Sequence, residues 1–111
     1  MSTPVIQNLE KLLDGPRDGA LLRYGLGNAW LKAGNPEQAA LHLKEAVRRD
    51  PNYSAAWKLL GKALAAAGQT QAALEAYRQG IATATARGDV QAAKEMTVFA
   101  RRLEKQQAGG Q

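Results

Sequence analysis

The 111-residue chain contains no cysteine, which excludes disulfides, thiolate metal sites and a cysteine nucleophile. Its single histidine, His42, has no cysteine or convergent carboxylate cluster to accompany it, so neither a metal site nor a general base is supported, and His42 is expected at an exposed or edge position of its helix. Aromatic residues make up only 5% of the chain, a thin supply for stacking on bases. No apolar run approaches the roughly 20 residues that span a bilayer. Residues 1–13 lack both the early positive charge and the continuous apolar stretch of a signal peptide. A soluble, cytoplasmic protein is the expectation. No segment alternates polar and apolar residues with period two, which removes strands. The glycines are spread over helix ends and helix contacts, so no phosphate-binding loop is present. With no catalytic constellation and no cofactor motif, an enzyme is not expected, and no cofactor or metal is assigned.

Lys and Arg outnumber Asp and Glu by 15 to 10, a net charge of +5. This favours encounter with acidic partners but carries no information about fold. The length suits one domain, residues 1–111, able to bury roughly two thirds of its unfolded surface.

The chain nearly repeats itself once, with a period of 34 residues, across its middle. Superposing residues 20–53 on 54–87 pairs Leu26 with Leu60, Gly27 with Gly61, Ala29 with Ala63, Ala33 with Ala67, Gly34 with Gly68 and Ala39 with Ala73. These are small or apolar positions, the kind that set how closely helices approach. A period of this length marks a helix-turn-helix solenoid, in which each hairpin buries its apolar face by stacking on its neighbour.

Helical periodicity and caps place the elements. Thr3 caps and Pro4 opens a first helix over residues 4–14, with Val5, Leu9, Leu12 and Leu13 on one face and Asp14-Gly15-Pro16 as its stop. Asp18 is positioned to cap the next helix, which carries Leu22, Leu26, Ala29, Trp30 and Ala33 to a stop at Gly34. Asn35-Pro36-Glu37-Gln38 reads as a cap, a first-turn proline and a capping-box glutamine ahead of Ala39, Leu43, Ala46 and Val47. The second unit repeats the plan with Trp57, Leu60, Ala63, Leu64 and Ala67, then Thr70 as a cap and Ala73, Tyr77 and Ile81. Asp89 caps a last helix over residues 89–105 bearing Ala92, Met96, Phe99 and Leu103; residues 106–111 are polar and glycine-rich and read as a disordered tail. Two repeats are fewer than the three or so that usually make a stable array, so the first and last helices are expected to act as caps.

These residues resemble the tetratricopeptide repeat family. Leu26, Gly27, Trp30, Gly34, Ala39, Leu43, Ala46 and Pro51 match its spaced pattern in the first unit; Trp57, Leu60, Gly61, Gly68, Ala73 and Tyr77 match it in the second, with departures at Gly80 and Thr85. Gln91 and Lys94 stand where a third repeat would want Trp and Leu, which is why the last helix reads as a cap. The resemblance implies an all-α, right-handed superhelix of antiparallel helix pairs, whose first helices line a concave groove that binds peptides or proteins. It implies no catalysis.

On the groove side of the first helices, the second stripe carries Tyr24, Asn28 and Lys32 in one unit and Lys58 and Lys62 in the next. Stacking should set Tyr24 beside Lys58 and Asn28 beside Lys62, giving one patch of an aromatic, an amide and ammonium groups. Such a set suits an acidic peptide or one ending in a free carboxylate. In chaperone-binding relatives, Lys and Asn on these stripes clamp a C-terminal carboxylate; Asn28 stands where the first Asn of that clamp would, whereas Tyr24 replaces its Lys and Leu59 its second Asn. An adaptor that binds a protein or peptide partner is therefore the leading expectation. A self-associating subunit of a larger assembly is the alternative. Nucleic-acid or anionic-membrane binding by Lys94, Arg101, Arg102 and Lys105 ranks lower, because Glu95 and Glu104 interrupt that basic face.

Overall fold

The apolar spacing becomes six helices among the described residues, which in this computed structural model are 3–109. They are α1 (Pro4–Glu10), α2 (Ala20–Lys32), α3 (Pro36–Arg49), α4 (Ser54–Ala66), α5 (Thr70–Ala86) and α6 (Val90–Gly109). None is long and apolar enough to cross a membrane.

Local chemistry sets most helix ends. The Thr3 hydroxyl accepts from the Ile6 N–H at 3.2 Å ahead of Pro4, and Asn35 Oδ1 accepts from the Gln38 N–H at 3.1 Å ahead of Pro36. Asp89 Oδ1 likewise accepts from the Ala92 N–H at 3.1 Å. Gly34 and Gly68 end α2 and α4 at φ +82° and +81°, a left-handed conformation that any residue with a Cβ adopts at a cost.

Four boundaries differ from the sequence expectation. Helix α1 stops at Glu10 rather than residue 14: the Leu12 and Leu13 N–H groups bond back three residues, to Leu9 and Glu10, and Asp14 turns the chain at φ 64°. Ile6 is the fully buried residue of this helix, while Val5 is 60% exposed. Asp18 does not cap α2, because its carboxylate receives Arg23 Nε at 2.9 Å, Arg23 Nη2 at 2.8 Å and the Asp14 N–H at 2.9 Å. Thr70 is the first residue of α5; Gln69 stands at the cap position that Asn35 holds one repeat earlier, and its longer side chain makes no cap bond. Helix α6 runs on to Gly109, since residues 104–108 are all good helix formers, so 106–109 belong to the helix and not to a tail. Residues 110 and 111 of that expected tail lie outside the described residues.

The molecule measures 41 × 32 × 18 Å, and its thin dimension is two packed helices deep. Helices α2 and α3 form one antiparallel hairpin and α4 and α5 the next, with α3 packed on α4 and α5 on α6. Successive first helices touch, α2 with α4 and α4 with α6, whereas α3 and α5 do not touch each other. The layer of first helices is thus the tighter one, and the array curves with α2, α4 and α6 on its inner side.

Each hairpin closes on a glycine. A Cβ at Gly27 would fall well inside the van der Waals radius of three carbons of Leu43, and one at Gly61 would collide with the Tyr77 ring. Both partners are buried. Ala39, Ala46, Ala56, Ala63 and Ala73 have no exposed surface, which keeps the backbones close. Gly80 departs from the family's alanine for the same reason: a Cβ there would meet Met96 Sδ and Trp57 Cβ. Met96 is fully buried, while Trp57 and Phe99, expected on buried stripes, are only half-buried. Trp57 uses its accessible edge to donate from Nε1 to the Pro51 carbonyl at 2.8 Å.

The turns that precede α2 and α4 are clasped alike. Arg49 Nη1 donates to the Asp18 carbonyl at 3.4 Å, and Arg87 Nη1 donates to the Asn52 carbonyl, one repeat further on, at 2.7 Å. Arg23, hydrogen-bonded to the 4%-exposed Asp18 side chain, holds its carboxyl far below the usual carboxylate range; the Asp14 N–H and the Arg49 charge act in the same direction.

Two outcomes follow for stability. Gly61→Ala should destabilise the fold by about 1–3 kcal/mol through overpacking, read as a lower urea midpoint, and a smaller residue at position 77 should recover part of the loss. A carboxyl whose pKa is depressed by folding stabilises the native state above its unfolded pKa. That contribution should therefore fade as pH falls below the ordinary value of 3.8, and Asp18→Asn should lower the melting temperature at pH 7 while flattening the loss towards pH 2.

Candidate functional site

The expected site residues lie on α2 and α4, the first helices of the two hairpins. On α2, Tyr24 is half-buried and packs on Tyr53, with ring centroids 5.1 Å apart and planes tilted by 31°. Burial pushes the Tyr53 hydroxyl above the ordinary tyrosine value, and Tyr24 stands close enough to add to the shift. Asn28, one turn beyond Tyr24, and the exposed Lys32 line a cleft of about 320 Å³ together with Thr3, Val5 and Gly25. The start of α1 thus walls one side of the α2 stripe. Leu21, 76% exposed, adds apolar surface at the beginning of the same helix.

On α4, Lys58 Nζ bonds to Glu95 Oε1 of α6 at 3.0 Å. The two share a second cleft, of about 230 Å³, with Ser54, Asp89 and Gln91. Lys62 is exposed, and its ammonium lies 4.8 Å from the centroid of the Phe99 ring, within range of a cation–π attraction. Helix α6 thus supplies a carboxylate to Lys58 and a ring to Lys62, and no hydrogen bond joins Tyr24 or Asn28 to either lysine among the described residues. Two clefts lie against these residues, one at Asn28 and Lys32 and one at Lys58.

Glu95 and Phe99 are the site residues that sequence reasoning missed. Glu95 read as an interruption of a basic helix, and Phe99 as core. Helix α5 has 17 residues where α3 has 14, and α6 begins 36 residues after α4 in place of 34, so positions on α6 are shifted from the 34-residue register. The Lys58 hydrogen bond and charge hold the Glu95 carboxyl below its ordinary value, with a smaller contribution from Lys62. The partly exposed ion pair is screened, so it is a modest contributor to stability.

His42 sits half-buried on α3 with Nδ1 covered and without a hydrogen-bond partner, more enclosed than the edge position expected. Burial first, and the Arg23 charge second, pull its pKa below the ordinary histidine value, so the ring is neutral at physiological pH. No group of three metal-ligating side chains occurs among the described residues.

Comparison with known proteins agrees with this geometry. A family model described as tetratricopeptide repeat matches the chain twice, over residues 6–53 and 24–89. A TPR repeat-containing protein of Pseudomonas aeruginosa is 55% identical over 101 residues, covering 91% of this chain and 96% of the relative. The solution structure of a protein from Bordetella parapertussis is similar at a TM-score of 0.81, with 39% identity over 96% of this chain and 93% of that one. A tetratricopeptide repeat domain protein from Salinibacter ruber is similar at a TM-score of 0.73, with 29% identity over 83% of this chain and 92% of that one.

Because Lys58 and Glu95 form a solvated pair, Lys58→Ala should change unfolding free energy by less than about 1 kcal/mol in chemical denaturation. A larger loss would mean that the pair is structural, and that substitutions there report folding rather than recognition.

Proposed function

The chain belongs to the tetratricopeptide repeat family, and we propose that it is an adaptor that docks a peptide or protein partner on the inner face formed by α2, α4 and α6. Domains of this fold serve protein–protein interaction and assembly. The finer reading, an acidic or carboxylate-ended segment held by Tyr24, Asn28, Lys32, Lys58 and Lys62, is supported chiefly by one observation. Lys58 already holds the Glu95 carboxylate at 3.0 Å on this face, so the surface has the chemistry to bind a carboxylate where water still reaches it. Two further ammonium groups flank it: Lys32 beside Asn28, and Lys62 beside an aromatic ring. A partner's acidic side chain, or its terminal carboxylate, would gain charge-assisted hydrogen bonds from these, while Leu21 and the exposed edge of Tyr24 take apolar contacts.

The test uses labelled octapeptides rich in Asp and Glu, with free or amidated C-termini. Binding should weaken about tenfold or more in Lys32→Glu/Lys62→Glu, without a matching change in melting temperature. The charge swap Lys58→Glu/Glu95→Lys restores the internal pair and separates local packing from recognition. Affinity unaffected by all of these would remove the inner face as the docking site. Self-association that accounts for the whole solution behaviour, seen as mass rising with concentration, would favour the subunit reading instead.

A further inference from the structure

The outer side of α6 is uncovered among the described residues, where the corresponding side of α4 is covered. Lys58 meets Glu95 across the inner face at a separation of 37 residues, and Lys62 meets Phe99 at the same separation, so residues 37 apart lie level with one another on α4 and α6. On α4, Gly61 meets Tyr77 of the hairpin partner, and Ala56, Leu60 and Leu64, at helical spacing from it, are buried too. The same separation leads from these to Ala93, Thr97, Val98 and Arg101. These four line a groove of about 580 Å³, closed on its other side by Ile81 and Thr85 of α5. Val98 remains 43% exposed there, and Val90 60%. This face of α6 is thus open among the described residues, and with Val98 in the place of Gly61 an occupant would lie farther from α6 than a hairpin partner lies from α4.

Its chemistry identifies the kind of helix. Lys94 and Arg101 stand on the groove wall, and a second cleft of about 570 Å³, sharing Val98 and Arg101, extends it past Arg102 and Lys105. Glu104 is the one carboxylate on that path. None of the four cations is held in an ion pair among the described residues. Where α4 carries the buried Leu60 and Leu64, α6 carries Thr97 and Arg101, so a helix apolar along its full width would leave the guanidinium unmatched. A second copy of this chain would bring another +5 to the contact. We propose that this groove docks a single amphipathic α-helix of a partner protein, with a narrow stripe of small apolar residues and acidic flanks that meet Lys94, Arg101 and Lys105.

The probe is a synthetic 18-residue helical peptide with an Ala/Leu stripe flanked by glutamates, run beside a scrambled version of the same composition and a version with lysine flanks. The striped acidic peptide should bind, shift the amide resonances of Ile81, Ala93, Thr97 and Val98, and lose about tenfold or more in affinity with Val98→Asp and separately with Arg101→Glu. Both substitutions fall on accessible side chains, and unchanged melting temperatures confirm an intact fold. Lys32→Glu/Lys62→Glu should leave this binding unaltered, which keeps it distinct from docking on the inner face. The inference is overturned if the scrambled or lysine-flanked peptide binds as well as the striped one, or if none binds. It is equally overturned if a DNA duplex or phosphatidylserine vesicles bind through Arg101 with indifference to Val98→Asp, or if the groove proves to be covered by a second copy in sedimentation.

Discussion

Backbone approach at one glycine per hairpin is the constraint from which the rest of this molecule follows. Gly27 leaves space for Leu43, and Gly61 for Tyr77, at corresponding places in successive hairpins. Once the two helices of a hairpin lie that close, alanine suffices at most of the surrounding contacts, and the buried volume comes from a few large residues such as Leu26, Leu43 and Tyr77. The two hairpins then nest in one orientation. First helices meet one another and second helices do not, which bends the array and turns α2, α4 and α6 inward. The inner face is a consequence of that packing before it is a site.

Charge is then laid over the curved frame in a definite way. On the inner side the last helix supplies Glu95 and Phe99 to Lys58 and Lys62, so part of the positive charge is already engaged within the chain. On the outer side of α6 the cations have no such partner among the described residues and flank exposed valines. The net charge of +5 is therefore expressed unevenly. The arginine clasps on the Asp18 and Asn52 carbonyls serve neither face. They tie the ends of α3 and α5 to the turns that precede α2 and α4, at the open end of each hairpin.

Much of the fold was legible in the sequence because its determinants are local. Thr3 and Asn35 cap helices from a distance of three residues, Gly34 and Gly68 stop them, and Leu22, Leu26, Leu43, Leu60 and Leu64 follow the helical period into the core. What escaped depends on partners that no local window contains. Asp18 looks like a cap until Arg23 claims its carboxylate. Ile6 displaces Val5 because a seven-residue helix buries only one narrow stripe. The neighbours of Lys58 and Lys62 come from α6, which lies outside the 34-residue register, so the five expected site residues were named without the Glu95 and Phe99 that meet these two lysines.

One NOESY spectrum of the labelled protein examines this packing directly. Cross-peaks should join the Gly61 Hα protons to the Tyr77 ring and the Gly27 Hα protons to the Leu43 methyls, with the Gly61 protons displaced by the ring current of Tyr77. In the same spectrum the Lys62 ε-protons should contact the Phe99 ring. Gly61 Hα shifts at random-coil values, with no cross-peak to Tyr77, would mean that the hairpins do not close on their glycines, and the curvature and inner face derived from that closure would fall with it.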